Sequence, residues 1–135
     1  MKIVATSGYF DPLHVGHLEC LELAKNLGDK LIVIVNSDLQ ATLKKGKSFM
    51  NEKDRLKIVS ALKCVDEVFL SIDKDKSQCE SLRYLKPTIF AKGGDRTSKE
   101  IPESKVCKEL NIKIIDGLGA KIRSSSELTG IKEIK

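Results

Sequence analysis

Five short apolar runs, each followed by an amphipathic segment, constrain the fold of this chain more than any other feature. Residues 3–8 (IVATSG), 31–37 (LIVIVNS), 66–71 (DEVFLS), 88–93 (TIFAKG) and 112–116 (IKIID) are rich in β-branched and apolar residues and are bounded by turn formers. The runs are nearly continuous rather than alternating, which suits strands buried on both faces, as in a parallel sheet. Parallel neighbours need crossovers, and the intervening segments read as the helices that make them. In the first of these, Cys20, Leu21, Ala24 and Leu27 share a face, with Gly28 placed to close the helix in left-handed backbone. The second begins near Asn51 and carries Leu56, Val59 and Leu62. The third runs from about Ser77 to Leu85 and opens with a capping-box pattern, Ser77 with Glu80. The fourth starts around Pro102 and buries Val106 and Leu110, and the last begins at SSSE, where Ser124 and Glu127 repeat the capping pattern.

The order βαβαβαβαβα implies right-handed crossovers and an α/β fold: a Rossmann-like, doubly wound parallel sheet of about five strands in three αβα layers. Its 135 residues suffice for one hydrophobic core, so residues 1–135 are expected to form a single domain. In such folds ligands bind beyond the carboxyl ends of the strands. That directs attention to residues 8–17, 37–50, 92–98 and 117–126.

Composition narrows the ligand. With 41% hydrophobic and 32% charged residues, the chain reads as an ordinary soluble protein. No apolar run approaches the roughly 18–20 residues of a membrane span, and MKIVATSGYF reads as a strand, not a signal peptide. Cys20, Cys64, Cys79 and Cys107 form no C-x-x-C pair and sit among apolar neighbours, which suits core thiols in a reducing, cytoplasmic setting. The net charge of +5 favours anionic partners. Aromatics at 4% are too few for a base-stacking platform, and most lysines are interleaved with acids, so small phosphates fit better than nucleic acid.

The first loop, GYFDPLHVGH (residues 8–17), holds both of the chain's histidines, His14 and His17, with Gly16 between them. It leads into a helix N-terminus, where free N–H groups and partial positive charge favour phosphate. Two imidazoles there can hydrogen-bond phosphate oxygens whose charge grows in a transition state. Taken singly, His14 reads as a loop residue and His17 as a helix cap; their pairing at this place is what points to chemistry.

GYFDPLHVGH resembles the G-x-F-D-x-x-H-x-G-H signature of the cytidylyltransferase-like nucleotidyltransferases, and the resemblance continues over nearly the whole chain. Enzymes of that family move a nucleotidyl group from a nucleoside triphosphate to a phosphorylated acceptor and release pyrophosphate. The resemblance implies that His14 and His17 contact the triphosphate and stabilise the transition state, with Tyr9, Phe10 and Gly16 also at the nucleotide. In NSDLQATLKKGKSFMNEKDR, an Asp past the second strand, a lysine-rich loop and a helical arginine follow the family pattern. Physically, Lys44, Lys45 and Lys47 form a cationic arm able to close over phosphates, and Arg55 can anchor that arm or pair with a carboxylate. By resemblance, Lys44 reaches the acceptor phosphate and acts in catalysis, Lys47 reaches the triphosphate, and Asp38 and Arg55 lie on the acceptor side. GKS at 46–48 imitates the end of a P-loop, but Ala41 stands where that motif needs glycine.

FAKGGDR ends the fourth run. Gly93 and Gly94 allow close backbone approach, and Asp95 can accept from a ribose or hold magnesium. K-G-G-D followed by E-I-P-E (Glu100–Glu103) is similar to the heptose-1-phosphate adenylyltransferase branch; the glycerol-3-phosphate cytidylyltransferase branch has a G-D-D type of sequence there. In GLGAKIRSSSEL, Ile122 spoils a dinucleotide fingerprint, whereas Arg123 and Ser124, Ser125 and Ser126 suit phosphate at a capped helix. The family holds β- and γ-phosphates with a similar segment, and Arg123 is carried over as catalytic.

The expected function is therefore transfer of a nucleoside monophosphate from ATP or CTP to a sugar or polyol phosphate, with adenylyl transfer to a sugar 1-phosphate placed first. Magnesium is expected mainly on the triphosphate, with no protein ligand set, and the family's habit implies a homodimer. Glycerol-3-phosphate-type cytidylyl transfer and FAD synthesis are the alternatives within the fold, the latter lowered by the few aromatics. A non-catalytic nucleotide-binding module is the alternative from another class.

Overall fold

A computed structural model describes residues 1–93 and 102–118. The expected final helix at SSSE lies outside them, as do Gly94, Asp95, Glu100, Arg123, Ser124, Ser125 and Ser126. The strands are β1 (Ile3–Gly8), β2 (Lys30–Val35), β3 (Glu67–Leu70), β4 (Ile89–Gly93) and β5 (Lys113–Leu118). They form one parallel sheet in the order β3-β2-β1-β4-β5. The helices are α1 (Val15–Lys25), α2 (Asp38–Lys45), α3 (Glu52–Ser60), α4 (Cys79–Leu85) and α5 (Glu103–Leu110).

Strand pleating explains the layers. Val4, Leu31, Val33, Val35, Ile89 and Ala91 point to one face and pack with Leu21 and Ala24 of α1 and Val59 of α3. Ala5, Ile34 and Phe90 point to the other and pack with Leu82 of α4 and with Val106 and Cys107 of α5. Fully burying a Leu or Phe contributes roughly 1.5–3 kcal/mol, so the wholly buried Leu82 and Phe90 fasten the α4–α5 layer as firmly as Leu21 fastens α1. Burial pushes the Cys107 thiol up to about 11, in keeping with a core residue. Among the described residues no helix is long and apolar enough to cross a membrane. The winding reverses between β1 and β4, which opens the crevice where ligands bind in such sheets.

Several local expectations are corrected. Residues 38–45 form a helix within the segment read as a loop: Ser37 caps the Gln40 N–H, and the Gln40 side chain returns to the Ser37 N–H at 3.0 Å. Gly46, with φ 90°, ends that helix, so GKS closes a helix where a P-loop would open one. Helix α1 ends at Asn26 in right-handed backbone, before Gly28. A side chain at Gly28 would meet the Lys2 carbonyl and Val4 at 2.8 Å, so close chain approach is what requires glycine there. Ser77 forms no capping box with Glu80: Gln78 is the N-cap of α4, and the Ser77 hydroxyl accepts only a long bond, 3.4 Å, from the Cys79 N–H. The Asp73 carboxylate accepts from the N–H groups of Glu80 (2.7 Å) and Ser81 (2.9 Å), while the Ser77 hydroxyl donates to Asp75 at 2.6 Å. A longer-range carboxylate outcompetes the local hydroxyl because a charged acceptor binds N–H more strongly.

Candidate active site

The loop from β1 to α1 is held by its own residues. A Cβ on Gly8 would lie 2.7 Å from the Phe10 ring, which folds back over the strand end with Phe10 at φ 52° and almost wholly buried. That ring meets His17 edge-on at 5.2 Å. The Asp11–Pro12 bond is cis. His14 is the N-cap of α1: its Nδ1 accepts from the Gly16 N–H at 3.1 Å, and His17 Nδ1 accepts from the His14 N–H at 3.1 Å. Each residue is thus a helix cap as well as a candidate catalytic group. With Nδ1 accepting, a neutral imidazole carries its proton on Nε2. Capping therefore fixes two parallel rings, 3.8 Å apart, as Nε2–H donors at a helix N-terminus.

Burial, reinforced by the electrostatic influence of the neighbouring His14 ring, pushes the His17 pKa from 6.5 to about 4. His17 is therefore neutral at pH 7. Because the unfolded chain takes up this proton near pH 6.5 and the folded chain near 4, stability falls as pH drops through that window and is unaffected above it. Proton NMR of the His17 ring should give a midpoint near 4, against about 6.5 in urea. A folded-state midpoint above 6 would contradict the buried, stacked arrangement.

Asp11 of the same loop, whose side chain is 1% exposed, ties the turn after α2 to the motif. It accepts from the N–H groups of Phe49 (2.7 Å) and Met50 (2.6 Å) and pairs with Lys45 at 2.9 Å. Burial alone would raise its pKa, but Lys45 and the two N–H groups outweigh it and hold the carboxyl below its usual value. Sequence reasoning assigned Asp11 no role, although its place in the motif was the available signal.

Lys44, Lys45 and Lys47 differ in setting. Lys44 and Lys45 are in the last turn of α2, and the Lys44 ammonium sits 4.4 Å above the Tyr9 ring. Lys45 is engaged by Asp11, and Lys47 is exposed past the helix end. The loose arm expected from sequence is thus largely a helix docked on the motif.

Arg55 is corrected as an acceptor-binding residue. It is 0% exposed, and its Nε donates to the Met50 carbonyl (2.9 Å), Nη1 to those of Tyr9 (2.9 Å) and Asn36, and Nη2 to Asp38 (2.7 Å). All three of its nitrogens donate within the fold, so the guanidinium serves as an anchor that joins the ends of β1 and β2 to α2 and α3. The alternative reading of Arg55, an anchor paired with a carboxylate, describes its contacts.

Beside the histidine loop, a cleft of about 600 Å³ opens over the ends of β1, β2 and β4. Tyr9 and Lys44 line it next to the motif, Asn36 and Lys92 stand at strand ends, and Lys76 and Gln78 form the far wall. His14 and His17 are not among the residues lining this cleft, whereas Tyr9 of the same loop is. The far wall is held down by the wholly buried Gln40, whose Nε2 donates to the carbonyls of Asp75 (2.8 Å) and Ser77 (2.9 Å). Residues 73–78 had no candidate role in the sequence, because they follow the edge strand and reach the site only through this clamp. Gly93 ends β4 beside Lys92. Among the described residues no cluster of three His, Cys, Asp or Glu side chains is placed to hold a metal ion.

The chain is similar to known proteins in sequence and in fold. The chain is 38% identical over 119 residues to "Bifunctional protein HldE" of Aliarcobacter butzleri and 41% identical over 113 residues to the protein of that name from Helicobacter pylori strain Shi470. These alignments cover 86% and 82% of the chain but 25% and 24% of the relatives, so the chain spans about a quarter of their length. Among solved structures, a "lipopolysaccharide core biosynthesis protein" from Thermoplasma volcanium superposes with a TM-score of 0.74 at 30% identity, covering 86% of this chain and 95% of that one. A bifunctional NMN adenylyltransferase/ADP ribose pyrophosphatase from Francisella tularensis, 17% identical with a TM-score of 0.57 over 85% of this chain and 37% of its own, shares the fold. The cytidylyltransferase-like family profile matches residues 5–128, and with the capped histidine pair at the head of α1 the chain belongs to the cytidylyltransferase-like family.

Proposed function

We propose that the chain is a nucleotidyltransferase that moves a nucleoside monophosphate to a small sugar phosphate, with adenylyl transfer of the heptose-1-phosphate type as the leading reading. The observation that carries it is the histidine pair: capping through Nδ1 leaves two Nε2–H donors where a helix N-terminus already favours phosphate. The triphosphate would lie against these rings, and the acceptor in the cleft that Lys44 overlooks. An acceptor phosphate oxygen is already a nucleophile. It attacks the α-phosphorus in line, the new P–O bond forms as the bond to the β-phosphate oxygen breaks, and pyrophosphate leaves with that electron pair. The protein contributes position and charge stabilisation.

Gly93, Asp95, Arg123 and Ser124–Ser126 are proposed for the nucleotide from the sequence resemblance, as is Lys47. Magnesium is proposed mainly on the triphosphate, where it would offset phosphate charge. A homodimer in a reducing cytoplasm completes the reading.

Calorimetry with Mg-ATP and Mg-CTP, followed by pyrophosphate release with a panel of phosphorylated acceptors, tests it. The expected result is tighter ATP binding and release that depends on a sugar 1-phosphate. CTP preference with glycerol 3-phosphate turnover would move the chain to the cytidylyl branch, and binding without release from any acceptor would favour a non-catalytic module.

A further inference from the structure

Two carboxamides in the cleft have oxygens with no partner. Asn36 follows β2 and is 2% exposed; Gln78 precedes α4 and is 3% exposed. Among the described residues Asn36 Oδ1 and Gln78 Oε1 are buried without a hydrogen-bond partner, and both residues line the cleft. Neither side chain is needed by its own backbone. Gln78 is the N-cap of α4 yet makes no side-chain cap, because Asp73 already serves that end. Its main-chain N–H is held by Glu103 at 2.7 Å, and that of Asn36 by the Gly8 carbonyl at 2.9 Å, so both cleft-lining residues are fixed through their backbone.

A buried acceptor left unpaired costs about 1–3 kcal/mol, so native structures fill such positions or reserve them for a ligand. An oxygen acceptor is satisfied by O–H or N–H. Lys44, Lys76 and Lys92 line the same cleft against Asp75 and Glu103, which disfavours a cationic ligand and favours a phosphorylated one, whose neutral hydroxyls are fitting donors. We propose that Asn36 Oδ1 and Gln78 Oε1 accept hydroxyl hydrogen bonds from the acceptor substrate, and so select a polyhydroxylated phosphate over an alkyl phosphate. The inference rests on the acceptor reading above and adds the residues that read the acceptor's carbon skeleton. A site built to bond a hydroxyl rejects the analogue lacking it far more strongly than an apolar pocket rejects an extra methylene.

Gln78→Met and Asn36→Leu keep side-chain volume and remove the acceptor. Thermal-shift titrations would use mannose, galactose and glucose 1-phosphates, glycerol 3-phosphate and n-butyl phosphate, each on wild type and both variants. At least one sugar phosphate should outrank n-butyl phosphate on wild type, and each variant should weaken that ligand about tenfold or more, leaving n-butyl phosphate unchanged. Unliganded Gln78→Met should melt no lower than wild type, since it replaces an unpaired polar group with an apolar one. The proposal is overturned if n-butyl phosphate binds wild type as well as every sugar phosphate, or if the variants weaken all ligands equally. It also fails if Gln78→Met is destabilised with sugar-phosphate binding intact, the signature of a structural amide. Because the readout is binding, a lack of pyrophosphate release would count against nucleotidyl transfer while leaving this comparison standing.

Discussion

His17→Asn should lower kcat for pyrophosphate release by about 10²–10³, or about 2.7–4 kcal/mol, the range for losing one donor to a developing oxyanion. Asparagine is the informative replacement because His17 has two jobs on two nitrogens. Its Nδ1 accepts from the His14 N–H, and an asparagine Oδ1 occupies nearly that place, so the cap survives. Nothing in asparagine reaches the Nε2 position. Nucleotide affinity should change little, since a bond that strengthens only as charge develops acts on kcat. His17→Ala should lose the same catalysis and, in addition, about 1 kcal/mol of stability with the cap. Steady-state kinetics beside urea melts of both variants separates the two. A His17→Asn enzyme within tenfold of wild-type kcat would remove the imidazole from the chemistry.

The division of labour within that ring also marks what the sequence could convey. Two histidines in four residues before a helix were visible as a motif, but weighing a cap against a catalytic group assumed that one excluded the other. The geometry makes the cap the means by which the nitrogen proposed for catalysis is oriented. The strands were legible because residues such as Leu31, Val33 and Val35 are buried on a sheet covered on both faces, which leaves a continuous apolar trace. Helix α2 was not, for the opposite reason. Its apolar Leu39 and Leu43 are each 50% exposed, while Gln40 and Ala41 are buried, so hydrophobic periodicity points at the wrong face. Gln40 is inside because its amide satisfies the carbonyls of residues 75 and 77, a contact 35 residues away that no local pattern encodes. The cleft wall went unread with it. Gln78 carries no motif at all; only an unpaired oxygen in a cavity singles it out.

Arg55→Lys should cost at least about 3 kcal/mol, the lower end for breaking a buried charge from its partners. Arg55 is an exposed-type residue that the fold has enclosed completely, and its planar fork spans three carbonyls and a carboxylate from separate segments. A lysine ammonium has three donors on one point and cannot reach the Met50, Tyr9 and Asn36 carbonyls while also pairing with Asp38. Each carbonyl left unpaired adds a cost of about 1–3 kcal/mol, less whatever water recovers. Asp38→Asn should cost less than Arg55→Lys, because the Asp38 side chain is 41% exposed and an amide oxygen can still accept from Nη2. Urea unfolding of the two variants tests this asymmetry. Equal losses would mean that the Arg55–Asp38 ion pair, not the enclosed fork, carries the energy, and a stable Arg55→Lys would mean that water replaces the fork. The same bonds fix the Tyr9 and Asn36 carbonyls, so their loss should loosen the site's two walls together: the Tyr9 ring that supports Lys44, and the Asn36 amide in the cleft. An enclosed arginine thereby holds both of the site's walls in place.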